Sequence, residues 1–195
     1  MGFFSDIYGT LFYNYKAEFL NALNFSNKKL NTNLPADFKD VKIFTDAVLQ
    51  QLPNSMFNKF GVINIKDVSA NCLTFNYNSI GFFREFLKCE VYYTIGWLFD
   101  PNKKAKLFYT DRNILIEHLN SRMQPTPLKL ETHAWLTLPT MEIIDLTFQT
   151  SLVKLFNSNT KPGSVIIGYP WDKNIPCRGM NIKYHPQIIV DTKII

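Results

Sequence analysis

The sequence predicts an α+β fold with a mostly antiparallel sheet, and three observations lead there. Segments with helical apolar spacing come first along the chain, and segments that read as strands come later. Between them, "ETHAWLTLPTMEIIDLTF" at residues 131–148 reads as two short apolar strands joined in one hairpin.

The first helix is expected over 5–24, opened by a Ser-Asp cap signal, and the second over 37–52, ended by Pro53. "KFGVINIKDV" alternates like a short strand or extended segment. In "NCLTFNYNSIGFFREFL", Leu73, Tyr77, Ile80 and Leu87 form one apolar stripe, and Phe75, Phe82 and Phe86 a second beside it. A helix apolar over so much of its circumference is expected in the middle of the protein, with Gly81 marking close packing. "CEVYYTIGWLFD" follows as a strand, then a polar turn at Asp100-Pro101, a strand "AKLFYT" and a short capped helix "DRNILIEHLN". After the hairpin come a short helix near "FQTSLVKLF", a strand "SVIIGYP", a loop "WDKNIPCRG" and a last strand "HPQIIVDT".

At 195 residues the chain reads as a single domain, with 1–60 as a helical N-terminal extension or lobe. Hydrophobic residues make up 46% and charged residues 19%, which excludes a disordered chain, and 17 phenylalanines can fill much of a core. The net charge of +5 is scattered; its densest cluster, Lys103, Lys104 and Lys106, lacks repeating aromatics and reads as solvated surface rather than a nucleic-acid site. No stretch reaches the ~18 apolar residues of a membrane helix. The N-terminus lacks a basic stretch with a cleavage site, and Asp6 breaks the myristoylation pattern. Cys72, Cys89 and Cys177 form no CxxC pair, which suits a reducing compartment, so a cytoplasmic location is expected, with delivery by another route left open. No pair of cysteines and histidines has zinc-ligand spacing, and neither a metal nor another cofactor is expected.

Chemistry is concentrated in the hairpin. Along its first strand His133, Trp135 and Thr137 share one face. A turn centred on Pro139 sets His133 directly opposite Asp145, and a one-residue slip would put them on opposite faces, so the loop must have an odd number of residues. An aspartate among Ile143, Ile144 and Leu146 is costly to bury without a partner. His133 can be that partner, donating from Nδ1 and keeping Nε2 as a base. The same acid also has the spacing to cap the helix that begins at Thr147 or Phe148. The base would act on Cys72, placed where an apolar helix begins; unpaired N–H groups there favour a thiolate. The N–H of Cys72 and a donor from Asn71, or else Asn64, would face the oxyanion of an attacked carbonyl.

The run "NC" opening an apolar helix, "YYTIGWLF" some way on, then "HAWLTL" and "EIIDLTF", resembles the papain-like cysteine superfamily, over roughly residues 68–150. That group includes papain-like peptidases, transglutaminase-like proteins, arylamine N-acetyltransferases and cell-wall amidases. The resemblance implies a papain-like fold, with Cys72 as nucleophile, His133 as general base and acid, and Asp145 as orienting acid. "IKDVSA", the six residues before Asn71, holds no Gln, which many peptidases of the group use in the oxyanion hole. The expected reaction is cysteine-dependent hydrolysis or acyl transfer on a peptide, protein or small amide.

Other residues carry alternatives. Cys177, beside Arg178, with His185 as base is the rival nucleophile; Cys89 reads as a core thiol and His118 as a surface residue. Trp135 is a core or pocket-wall aromatic, and Tyr169 and Trp171 line a cleft or brace a turn. A binding protein on the same fold, taking an acidic protein or nucleic acid, is the alternative to an enzyme.

Overall fold

In the computed structural model residues 13–61, 68, 71–120, 131–156, 163–171 and 181–191 are described. They form a mixed α+β architecture. In chain order the elements are α1 (Tyr15–Leu30), α2 (Asp46–Phe60), α3 (Cys72–Leu87), β1 (Tyr92–Asp100), β2 (Ala105–Leu107), α4 (Arg112–Asn120), β3 (His133–Thr137), β4 (Ile143–Asp145), α5 (Phe148–Phe156), β5 (Ile166–Gly168) and β6 (Lys183–Val190).

The sheet is antiparallel throughout. β1 is its hub, with β6 along one edge; β3 and β2 share the other, β3 along Tyr92–Gly96 and β2 along Leu98–Asp100. β4 and β5 continue outward from β3. Period-two alternation gives the sheet two apolar faces. Tyr92, Trp135 and Ile143 meet Tyr15, Phe19 and Leu23 of α1 on one; Tyr93, Ala134, Leu136 and Ile144 meet Ile80 and Phe83 of α3 on the other.

A bulge breaks the β1–β6 register: Ile95 faces Ile188 but Gly96 faces Pro186, leaving Gln187 as the extra residue. The bulge reverses the alternation of β6, so Tyr184 before it and Ile189 after it both join the α1 face. Pro186 brings no N–H to the ladder, and the bulge is where a strand accepts that. Gly96 is required at this crossing. A Cβ there would collide with the carbonyl oxygen of His185 and stand 2.8 Å from the Trp135 ring.

The helices depart from the sequence expectation at their ends. α1 begins at an Asn14 cap, whose side chain accepts from Ala17 N–H at 3.1 Å, and runs to Leu30 rather than residue 24. The Ser5-Asp6 signal lies outside the described residues. The second helix starts at a Thr45 cap rather than near 37 and passes through Pro53 to Phe60. Proline there cannot donate to Leu49, but that face of the helix is exposed, so water can take the orphaned carbonyl. The preceding segment is held irregular by Glu142, whose buried carboxylate accepts from the N–H groups of Ile43 (2.7 Å) and Phe44 (3.1 Å). Most of "KFGVINIKDV" lies outside the described residues, and Lys59 and Phe60 belong to α2.

α3 does not lie in the middle of the protein. Thr74, Asn78, Gly81 and Glu85 form an exposed stripe, and nothing approaches Gly81 closely. Its second row of phenylalanines is covered from the side by α2, with Phe60 edge-on to Phe82 at 5.2 Å and Phe82 stacked on Phe86. Among the described residues no helix is long and apolar enough to cross a membrane.

Candidate active site

β3 and β4 pair with Leu136 opposite Ile144 and Thr137 opposite Ile143. The loop between the strands is Leu138–Glu142, an odd number of residues, so His133 and Asp145 share a face as expected. They are not directly opposite. The register is displaced by two residues, which sets Asp145 across from Trp135 and makes the imidazole reach diagonally.

The ring also uses the other nitrogen. His133 Nε2 lies 2.6 Å from Asp145 Oδ2, so Nδ1, not Nε2, is left for the thiol. Because His133 is the first residue of β3, its ring sits at the strand end, and there the N-terminus of α3 arrives from the opposite face of the sheet. Cys72 Sγ lies 3.6 Å from the carbonyl oxygen of Thr132, the residue before His133, and close enough to the imidazole to help raise its pKa. Cys72 is partly exposed, whereas His133 is 1% and Asp145 0% exposed.

Asp145 performs both tasks that its sequence position allows. Oδ2 binds His133 and accepts the Tyr184 hydroxyl at 2.9 Å. Oδ1 accepts the N–H groups of Thr147 and Phe148, each at 3.0 Å, and the Thr147 hydroxyl at 3.2 Å, which caps α5. Burial pushes this carboxyl upward, but the His133 charge and hydrogen bond, helped by the two backbone N–H groups, outweigh it and hold the group below its ordinary value. Burial likewise pushes His133 down. The charge and hydrogen bond of Asp145, with a smaller contribution from Cys72, reverse that and raise it to about 10.

The imidazole is walled by rings: Phe108 at 5.3 Å and Trp135 at 6.1 Å, both near parallel, and Phe148 edge-on at 5.8 Å. Trp135 is fully buried and donates its indole N–H to Tyr15 at 2.7 Å, so it backs the imidazole and lines no cleft. Asn71 stands at the mouth of α3 without a side-chain cap bond to the helix, and its N–H is engaged by Val68 at 3.2 Å. Cys72 opens α3, so its N–H has no acceptor within the helix.

Tyr169 and Trp171 do not reach this site. β4 and β5 pair Asp145 with Ile166 and Ile143 with Gly168, so the two aromatics, beyond Gly168, leave from the far end of the strand pair. There they stack on each other at 4.9 Å. His185, the base considered for the rival thiol, is taken: its Nδ1 meets Glu18 at 2.8 Å and its ring stacks on Trp97 at 4.1 Å. Cys177 and Asn64 lie outside the described residues. Cys89 follows the C-terminal cap of α3, and burial raises its thiol. His118 sits half-buried on α4. Among the described residues no three of His, Cys, Asp and Glu are grouped to hold a metal ion.

Sequence reading missed two groups. Tyr184 arrives from β6 through the bulge and has no local signal. Asn76 had one: a buried polar residue one turn after Cys72 on the apolar side of α3. Its Nδ2 donates to the carbonyl oxygens of Cys72 (3.0 Å) and Ala134 (2.9 Å), with Thr147 Oγ1 at 3.4 Å. One amide thus ties the backbone of the thiol, the neighbour of the imidazole and the cap of the acid.

Set against protein-family models, curated proteins and solved structures, the chain matches none of them.

Proposed function

We propose that this protein is a cysteine-dependent acyl-transfer enzyme on a papain-like fold, with hydrolysis of an amide or ester as its reaction. The carrying observation is that Cys72 Sγ stands 3.6 Å from the carbonyl oxygen next to His133, whose Nε2 meets Asp145 at 2.6 Å. The papain-like reading draws on a thiol at the mouth of a helix packed across an antiparallel sheet whose neighbouring strands bear the histidine and the acid.

In this mechanism Nδ1 of His133, kept protonated by Asp145, already holds the thiol proton, and Cys72 attacks the carbonyl carbon as the thiolate. The negative oxygen is met by the Cys72 N–H at the positive end of α3. The bond to the leaving nitrogen or oxygen then breaks as Nδ1 returns the proton to it, giving a thioester. Water, deprotonated by the same Nδ1, releases the acid and restores the thiol. Asp145 holds the ring and balances its charge throughout.

Iodoacetamide labelling followed by peptide mass spectrometry tests the reading. Cys72 is expected to react at neutral pH at least ~10 times faster than Cys89, and His133→Ala to remove the difference. Equally slow labelling of all three cysteines would leave a binding protein as the better account.

A further inference from the structure

Between α2 and the first turn of α3 lies an apolar hollow of about 350 Å³, within the size range of small-ligand sites. Met56 and Phe57 of α2 form one wall, Phe75 of α3 and Val68 the floor, and Leu146 and Val165 the far side. Among the described residues Thr150 is the one polar side chain lining it, and none of those lining it is charged.

Its position relative to the triad follows from sequence adjacency and register. Val68 and Phe75 flank Cys72 along the chain, and Val68 accepts the Asn71 N–H at 3.2 Å. Leu146 directly follows Asp145. Val165 directly precedes Ile166, the register partner of Asp145. Around α3, Phe75 is turned about 60° from Cys72 on one side and Asn76 about 40° on the other. Asn76 points at the sheet, so the hollow opens on the side of Cys72 away from it. Phe57 remains 60% exposed at the rim, apolar surface that a ligand would cover.

We infer that this hollow is the acyl subsite of the reaction proposed above, and that the acyl group handed to Cys72 carries an apolar hydrocarbon or aromatic body. The inference rests on the thiol reading for its chemistry. A carbonyl at Sγ would send its apolar portion along Phe75 and into the hollow, while the leaving group stays on the solvent side. Burying each methylene favours binding by about 0.8 kcal/mol, so a few methylenes suffice to set preference.

The test uses p-nitrophenyl esters of acetic, octanoic and 3-phenylpropionic acids, with acylation followed by intact mass and by release of nitrophenolate. Sulfur gains the acyl carbon, the carbonyl–oxygen bond breaks, and nitrophenolate leaves. Octanoyl or phenylpropionyl transfer is expected to exceed acetyl transfer at least ~10-fold, and which of the two is faster separates an aliphatic from an aromatic occupant. Val165→Phe and, from the opposite wall, Met56→Trp should each collapse that ratio toward one. A ratio near one in the wild type, or one that survives both fillings, overturns the subsite.

Binding of octanoate and of acetate to Cys72→Ala, read by NMR line broadening, separates the two claims. Octanoate binding lost in Cys72→Ala/Val165→Phe, without acylation of the native chain, keeps the hollow and rejects the thiol chemistry. Acylation without chain preference does the reverse.

Discussion

The side-chain amide of Asn76 donates to the carbonyl oxygen of Ala134 across 2.9 Å, bolting the first turn of α3 to the strand that carries His133. With the further bond to Cys72 O, it fixes how far the sulfur stands from the ring. Asn76→Leu fills similar volume but leaves two buried carbonyls without this donor, so the chain should lose about 1–3 kcal/mol in urea unfolding. The thiol should label roughly tenfold more slowly, and the pH profile of labelling should change with it, a readout that a loss of stability alone would not move.

Asp145→Asn and Asp145→Ala separate the two duties of one carboxylate. The asparagine keeps an acceptor for the α5 cap but loses the charge that partners His133. It should cost about 3–5 kcal/mol and abolish fast labelling of Cys72. The alanine should cost about 1 kcal/mol more, the further loss being the cap. Equal denaturation midpoints for the two variants would show that the cap adds nothing.

The pH dependence of stability follows from the same pair. His133 is raised from 6.5 to about 10 in the folded state, so its contribution is complete below pH 6.5 and drains away as pH climbs toward 10. Asp145 is lowered from 3.8, so its contribution is complete above that value and is lost as pH falls through the folded value. Stability should therefore be greatest on a plateau from about pH 4 to 6.5 and decline toward pH 10. In Asp145→Asn the alkaline decline should flatten, as melting at pH 6, 8 and 10 would reveal.

Gly96→Ala should be among the most disruptive small substitutions. The added methyl meets backbone at His185 and the Trp135 ring together, so the bulge, β6 and the wall behind the imidazole must move. A loss of about 2–4 kcal/mol is expected, against near neutrality for Gly81→Ala in open space. Paired thermal melts decide it.

The hairpin, the sheet face shared by His133 and Asp145, and the helix opening at Cys72 were legible because alternation, turn parity and cap position are local properties. The direct opposition of His133 and Asp145 was not, since the loop centres on Thr140 rather than Pro139, which displaces the register by two without changing the face. Nor was the choice of ring nitrogen, which depends on the diagonal reach. Tyr184 was invisible because a bulge in another strand turns it toward Asp145. The second helix was misplaced since Glu142, distant in sequence, captures the backbone of residues 43–44 before the helix can begin. Trp135 and the pair Tyr169 and Trp171 looked alike in sequence, yet strand register buries the first and sends the others to the opposite end.

His133 is 1% exposed and Asp145 0%, so the Nε2 proton held between them across 2.6 Å is shut away from bulk water. Such a hydrogen belongs far downfield in a proton spectrum and should trade with deuterium slowly enough to watch.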